Sequence, residues 1–182
     1  MTVRSWRVTE PEPAITLENA KRAIRATDDE DPLILSLIAA ASERVEILTG
    51  RAFGPQTWEV ISAGFPSGGI EYEWGPLVSV TSIEYLRADG TTGSVPLDDL
   101  DVVEASDCGF VRTLSTWPAA RTSANAVRMR YVAGRGWTDT TRQAVRLLVG
   151  HWFKNREAVG DAQAELPLGA SALIASVRRI AV

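Results

Sequence analysis

The chain has 182 residues, of which 45% are hydrophobic and 23% charged, and a net charge of −4; these proportions exclude wholesale disorder and allow one domain with a substantial core. The lone Cys108 excludes an intrachain disulfide framework and suits a reducing cytoplasm. No basic segment followed by an apolar run opens the chain, and no stretch approaches the roughly 20 apolar residues of a membrane span, so neither secretion nor a membrane partner is expected.

Residues 1–15 contain Pro11 and Pro13 and no sustained apolar period, and read as a flexible N-terminal arm. A short helix is expected with Thr16 as N-cap, Glu18 near the positive helix end, and Leu17, Ala20, Ala23 and Ile24 on one stripe. It ends at the acidic run from Asp28 to Asp31. Asp31-Pro32 predicts the start of a long helix, because the carboxylate can accept from unpaired N–H groups and proline at the first helical position forfeits no bond. Ile34, Leu37, Ile38, Ala41, Val45 and Leu48 then recur at three- and four-residue steps, and Gly50 supplies the stop.

From Gly54 the period becomes alternating. Strands are expected over Gln56–Ser62, Ile70–Trp74, Leu77–Arg87 and Gly109–Leu114, with Asp89-Gly90 as a tight turn. In the strand from Val127 to Ala133, Val127, Met129, Tyr131 and Ala133 alternate with Arg128, Arg130 and Val132, the pattern of a half-buried strand with arginines on its polar face. Gly134 and Gly136 end it. A second long helix is expected from Thr138 or Asp139 to about Ala158, with Ala144, Val145, Leu148, Val149 and Trp152 on one face. A loop from Gly160 to Pro167 and a last helix from Gly169 to Arg179 complete the chain. Strands in one block, not alternating with helices, predict an α+β fold. Two N-terminal and two C-terminal helices form a helical frame, with an antiparallel β sub-domain inserted at about residues 54–134 of a single domain spanning 16–182.

Charge is unevenly placed: Thr57 to Asp107 carries ten acidic residues against Arg87, and Arg121 to Arg156 eight basic residues against Asp139. Folded onto different faces, these segments give one negative and one positive region, suited to self-association or contact with DNA. The basic stretch includes Arg142, Arg146, Lys154 and Arg156, with Tyr131, Trp137 and Trp152 interleaved. It is a footprint for non-specific, salt-sensitive phosphate contact, since no helix-turn-helix or zinc pattern accompanies it. Trp152 lies on the apolar stripe and reads as core, not as a stacking platform.

Chemistry finds little support. His151, the only histidine, sits in a helix beside Trp152 and Phe153 without a supporting motif for a general base. The acidic neighbour of Cys108, Asp107, opposes thiolate formation. The Asp28–Asp31 run lacks the spacing of a calcium loop, and Asp98, Asp99 and Asp101 have no matching His or Cys set. Gly134-Arg135-Gly136 lacks the remaining residues of either phosphate-binding glycine motif. No catalytic, cofactor-binding or metal residue is assigned, no cofactor is expected, and the chain reads as a non-enzyme.

Four passages, in order, carry a resemblance. They are Ile15 to Lys21 with Asp28 to Leu33 and Ala41 to Arg51; Gly75-Pro76-Leu77 to Ile83; Val127 to Trp137; and Arg142 to Glu157 followed by Leu166-Pro167 and a terminal helix. Together they span nearly all of residues 15–180, and the chain resembles the phage head-tail connector (adaptor) family, also described as possible DNA-packaging proteins. It departs from that pattern in its longer arm before Ile15 and in its Val177-Arg178-Arg179-Ile180 ending.

The resemblance implies a structural subunit made in the bacterial cytoplasm and placed at the head-tail junction of a phage or gene-transfer particle. There, identical subunits form a ring, a dodecamer in the particle, beneath the portal protein; the ring extends the DNA channel and offers a platform to a tail completion, stopper or terminator protein. Such a ring is a heterologous assembly, in which the acidic β region of one subunit is expected to meet the basic helical region of the next. The C-terminal segment, residues 166–182, is expected to dock on the portal through Leu173, Ile174, Val177 and Ile180, with packing on the protein's own core as the alternative, and deletion of Ala170 to Val182 is expected to abolish portal binding and spare the fold. Arg142, Arg146, Lys154 and Arg156 are expected along the channel, in transient contact with DNA. A nucleic-acid-binding accessory protein of DNA packaging is the alternative.

Overall fold

The computed structural model describes residues 3–105, 108–155 and 166–179. The chain divides into a β unit, made of Pro55–Arg135 with the described residues up to Pro11, and a helical unit, made of Glu12–Gly54 and Gly136–Arg179. The predicted α+β class is therefore the observed one: helices precede and follow a block of antiparallel strands.

In the helical unit, α1 (Leu17–Ile24) is capped by Thr16, whose hydroxyl accepts from Asn19 N–H at 3.3 Å. The long α2 (Asp31–Thr49) starts with Asp31 inside the helix and Glu30 as N-cap, so Asp31 does not cap it as expected. The Asp31 carboxylate instead accepts from Lys21 Nζ at 2.6 Å, and Lys21 also donates to Asp28. These bonds hold the Lys21 ammonium above its ordinary range and the Asp28 carboxyl below its own.

At the other end of α2, Gly50 adopts φ +67°, its N–H reaches Ile47 C=O, and Arg51 N–H reaches Glu46 C=O. That pair of bonds closes the helix in a Schellman motif, which needs the left-handed residue that glycine supplies without strain. Helix α3 (Asp139–Lys154) begins in a reciprocal box: Thr138 Oγ1 accepts from Thr141 N–H at 3.3 Å and Thr141 Oγ1 from Thr138 N–H at 3.0 Å. Helix α4 (Leu168–Val177) is the last. Ile34, Ile38, Ala41 and Val45 of α2, Ala144, Val145, Leu148 and Val149 of α3, and Ala170 and Ile174 of α4 form one core with Phe53 and Trp137.

In the β unit, a five-stranded antiparallel sheet has the order β1 (Arg4–Arg7), β2 (Gln56–Ser62), β8 (Val127–Ala133), β4 (Leu77–Leu86), β5 (Thr92–Ser94). A three-stranded sheet has the order β3 (Ile70–Tyr72), β7 (Cys108–Thr113), β6 (Leu100–Ala105). Residues 4–7, read from sequence as part of a flexible arm, form strand β1 in register with β2 from Arg4↔Ile61 to Arg7↔Trp58. Thr9 continues the association, its hydroxyl accepting from Thr57 N–H at 2.9 Å. Backbone pairing to an otherwise open strand edge orders this segment without an apolar period of its own.

Candidate functional site: charged surfaces of the two units

The β2–β8 register sets Glu59 opposite Arg130 and brings Arg128 to the same face. Glu59 is buried, 3% exposed, and its carboxylate accepts from Arg130 Nε at 2.6 Å, with Arg128 Nη1 at 3.7 Å. The hydrogen bond and charge of Glu59 raise the pKa of the Arg130 guanidinium further. Arg135 lies 3.6 Å from Glu104. Arg128, Arg130 and Arg135, all in the basic segment of the sequence, are thus spent on acidic residues of their own β unit. The expected division into an acidic β region and a basic helical region is corrected to that extent: the basic segment is split between the units.

Because Arg130 is about half exposed, water compensates part of the loss when its partner is removed. Glu59→Ala is expected to destabilise by about 1.5–3 kcal/mol, the range for hydrogen bonds to charged groups, and Glu59→Gln by less. Urea unfolding of the two variants beside wild type measures both.

The helical unit carries a cationic cleft. Gln143, Arg146, Leu147, Gly150, His151 and Lys154 recur along α3 at steps that put them on one face, away from the apolar stripe. With Ala23, Ile24 and Arg25 at the end of α1 they line a cleft of about 690 Å³. No carboxylate lines it, and Arg25, Arg146 and Lys154 make no ion pair with the described residues. Arg25 and Lys154 sit at the C-terminal ends of their helices, where partial negative charge favours cations. Asn155 Nδ2 stands 3.3 Å from His151 Nδ1.

Of the four residues expected along a channel, the structure brings Arg146 and Lys154 to this cleft. Arg142 faces solvent in the first turn of α3, with Nη1 3.8 Å from Asp139, and Arg156 lies outside the described residues. Arg25 and His151 were not among the four; the three- and four-residue spacing opposite the apolar stripe was the signal for His151. For the C-terminal segment, Ile174 is 5% exposed within the helical core, so it is no free anchor for a partner. Leu173 and Val177 are half-buried against that core, and Ile180 lies outside the described residues. Trp152 also packs on the core, as its place on the stripe predicts.

Among the described residues no group of three His, Cys, Asp or Glu side chains is placed to hold a metal, and no helix is long and apolar enough to cross a membrane. The described residues thus present a cationic cleft on a helical frame with an inserted antiparallel β unit. The chain belongs to the head completion protein family, whose model matches residues 14–163.

No curated protein matches the chain. Among solved structures, a chain in the neck of an empty gene transfer agent particle, computed with C6 symmetry, superposes with a TM-score of 0.78 at 22% identity. A chain of the native gene transfer agent virion gives 0.77 at 22%, and one in the native particle's neck, computed with C12 symmetry, 0.75 at 21%. Each match covers 100% of this chain and 97% of the other. At such identities the likeness is one of fold.

Proposed function

We propose that the protein is a structural subunit of the head-tail junction of a tailed phage or gene-transfer particle, where copies form a ring beneath the portal. The observation that carries this reading is end-to-end likeness: family membership over residues 14–163 and superposition along the full chain on chains in the necks of gene transfer agent particles, computed with C12 and C6 symmetry. The ring extends the DNA channel and presents a platform to the tail completion or terminator protein. Its role is architectural and not catalytic.

In the same reading the C-terminal segment, residues 166–182, reaches the portal. Ile174 holds α4 to the helical core while the half-buried Leu173 and Val177 border the contact. Arg146 and Lys154, and with them Arg142 and Arg156, act as surface cations in the assembly. The cationic cleft also favours a second reading, a nucleic-acid-binding accessory protein of DNA packaging.

Co-sedimentation with purified portal rings separates the two. The connector reading expects stoichiometric rings stacked on the portal in negative-stain images, with weak binding of duplex DNA by the monomer. Absence from the portal together with tight, salt-sensitive DNA binding establishes the accessory reading instead.

A further inference from the structure

We propose that the cationic α1–α3 cleft of one copy receives the acidic β6 edge of the next copy, an inference that rests on the ring reading above.

The cleft defines what it can take. Arg25, Arg146 and Lys154 stand without ion-pair partners among the described residues, over a floor that includes Ile24 and Leu147. An occupant therefore has to bring carboxylates and some apolar surface.

The β6 edge has these properties. Strand β6 closes the three-stranded sheet, pairs only with β7 among the described residues, and leaves its other side open. Charges along such an edge discourage addition of a neutral strand and leave it to a surface of opposite charge. Asp98, just before the strand, and Asp101, within it, are exposed and form no ion pair with described residues. Glu104, further along, is held loosely by Arg135 at 3.6 Å, and Val102 beside it is 41% exposed.

Asp99 is not part of this set. Its carboxylate accepts from Thr113 Oγ1 at 2.8 Å and from Ser115 Oγ, bonds that tie the start of β6 to its own sheet.

Asp101 and Glu104 project from opposite faces of β6, so the edge carries carboxylates on both sides of the strand. Cleft and edge are different surfaces of one chain, so their contact is heterologous, the kind that propagates around a ring.

Charge reversal tests the pairing. One full-length variant carries Arg146→Glu and Lys154→Glu, the other Asp98→Lys and Asp101→Lys; circular dichroism and thermal melting establish that both fold, with Arg146→Gln and Lys154→Gln as a milder pair. Assembly is followed by sedimentation velocity at low salt and by ring formation on purified portal.

Each variant alone is expected to associate at least about tenfold more weakly than wild type, the scale of close interfacial charge pairs. An equimolar mixture is expected to restore assembly, because a negative cleft then meets a positive edge and a positive cleft a negative edge. Wild-type association is expected to weaken as salt rises.

Variants that assemble as well as wild type, or a mixture that fails to recover, overturn the pairing while wild-type rings on the portal keep the ring reading intact. Wild type that forms no rings, alone or on the portal, overturns both. Loss of duplex-DNA binding by the cleft variant with assembly unchanged assigns the cleft to nucleic acid and also overturns the pairing.

Discussion

Removal of residues 170–182 is expected to unfold the helical unit, contrary to the sequence-based expectation that this segment is dispensable for the fold. Ala170 is fully buried and Ile174 nearly so, both in one core with Ala144, Val145 and Leu148. Past the end of α4, Arg179 N–H donates to Thr49 C=O at 2.8 Å, and Arg51 Nη1 reaches Val177 C=O at 3.4 Å, which fastens the chain's last described turn to the exit of α2. Ile174→Ala alone is expected to cost about 2–4 kcal/mol, the range for deleting a buried aliphatic side chain. The truncation removes that contact, the Ala170 contact and both hydrogen bonds together. Urea titration followed by circular dichroism is the measurement, and an unchanged midpoint in the truncated protein would show that α4 is detachable. Portal binding is better tested with substitutions at Leu173 and Val177, which leave Ile174 in place.

Glu46→Ala is the second large effect, expected at about 3 kcal/mol. Glu46 is fully buried, on the same face of α2 as Ser42 and Thr49, and its Oε1 accepts from Phe53 N–H at 2.8 Å. Removing the acceptor leaves a buried N–H without its partner, a penalty larger than the net value of an ordinary hydrogen bond. The same bond fixes how the chain leaves α2 after the Gly50 turn and delivers Phe53 to Trp137, whose ring centroid lies 5.1 Å away. Glu46→Gln keeps an acceptor in place and is expected to lose about half as much. Denaturant midpoints of the two variants, compared with wild type, check both the size and the order.

Elements whose own residues carry the pattern were legible in the sequence. Strand β8 runs over the residues expected, because Val127, Met129, Tyr131 and Ala133 face a core and the residues between them do not; β2 also runs over the residues expected, although all of its residues except Thr57 are buried. Helix α2 announced itself by its stripe and its Gly50 stop. Strand β1 did not, since its alternate residues are Arg4 and Trp6 against Ser5 and Arg7, with no apolar face to read; its order comes from hydrogen bonds to β2, more than fifty residues away in register pairs such as Arg4↔Ile61. Strand β6 was missed because Val102 and Val103 stand side by side and break the alternation. Of the surface, the α3 row containing Arg146 and Lys154 was partly visible, whereas Arg25 joins them only through the packing of α1 beside α3. The use of Arg128 and Arg130 on Glu59 was illegible for the same reason: a segment's net charge says nothing about which charges are already neutralised across a register of strands.

Trp137 bears on how such a chain can vary. Its indole N–H donates to Glu12 C=O at 3.0 Å, its ring lies against Phe53, and the preceding Gly136 N–H donates to Phe53 C=O at 2.7 Å. Everything between Phe53 and Gly136 is therefore a closed excursion from a fixed pair of neighbours. Closing an excursion grows more expensive only slowly with its length, by about 0.6 kcal/mol for each doubling of a flexible loop. Strands and turns in that stretch can be lengthened, exchanged or pared back while the helices keep their register, and a short turn from Phe53 to Gly136 is the natural place to cut the protein down to a minimal helical scaffold.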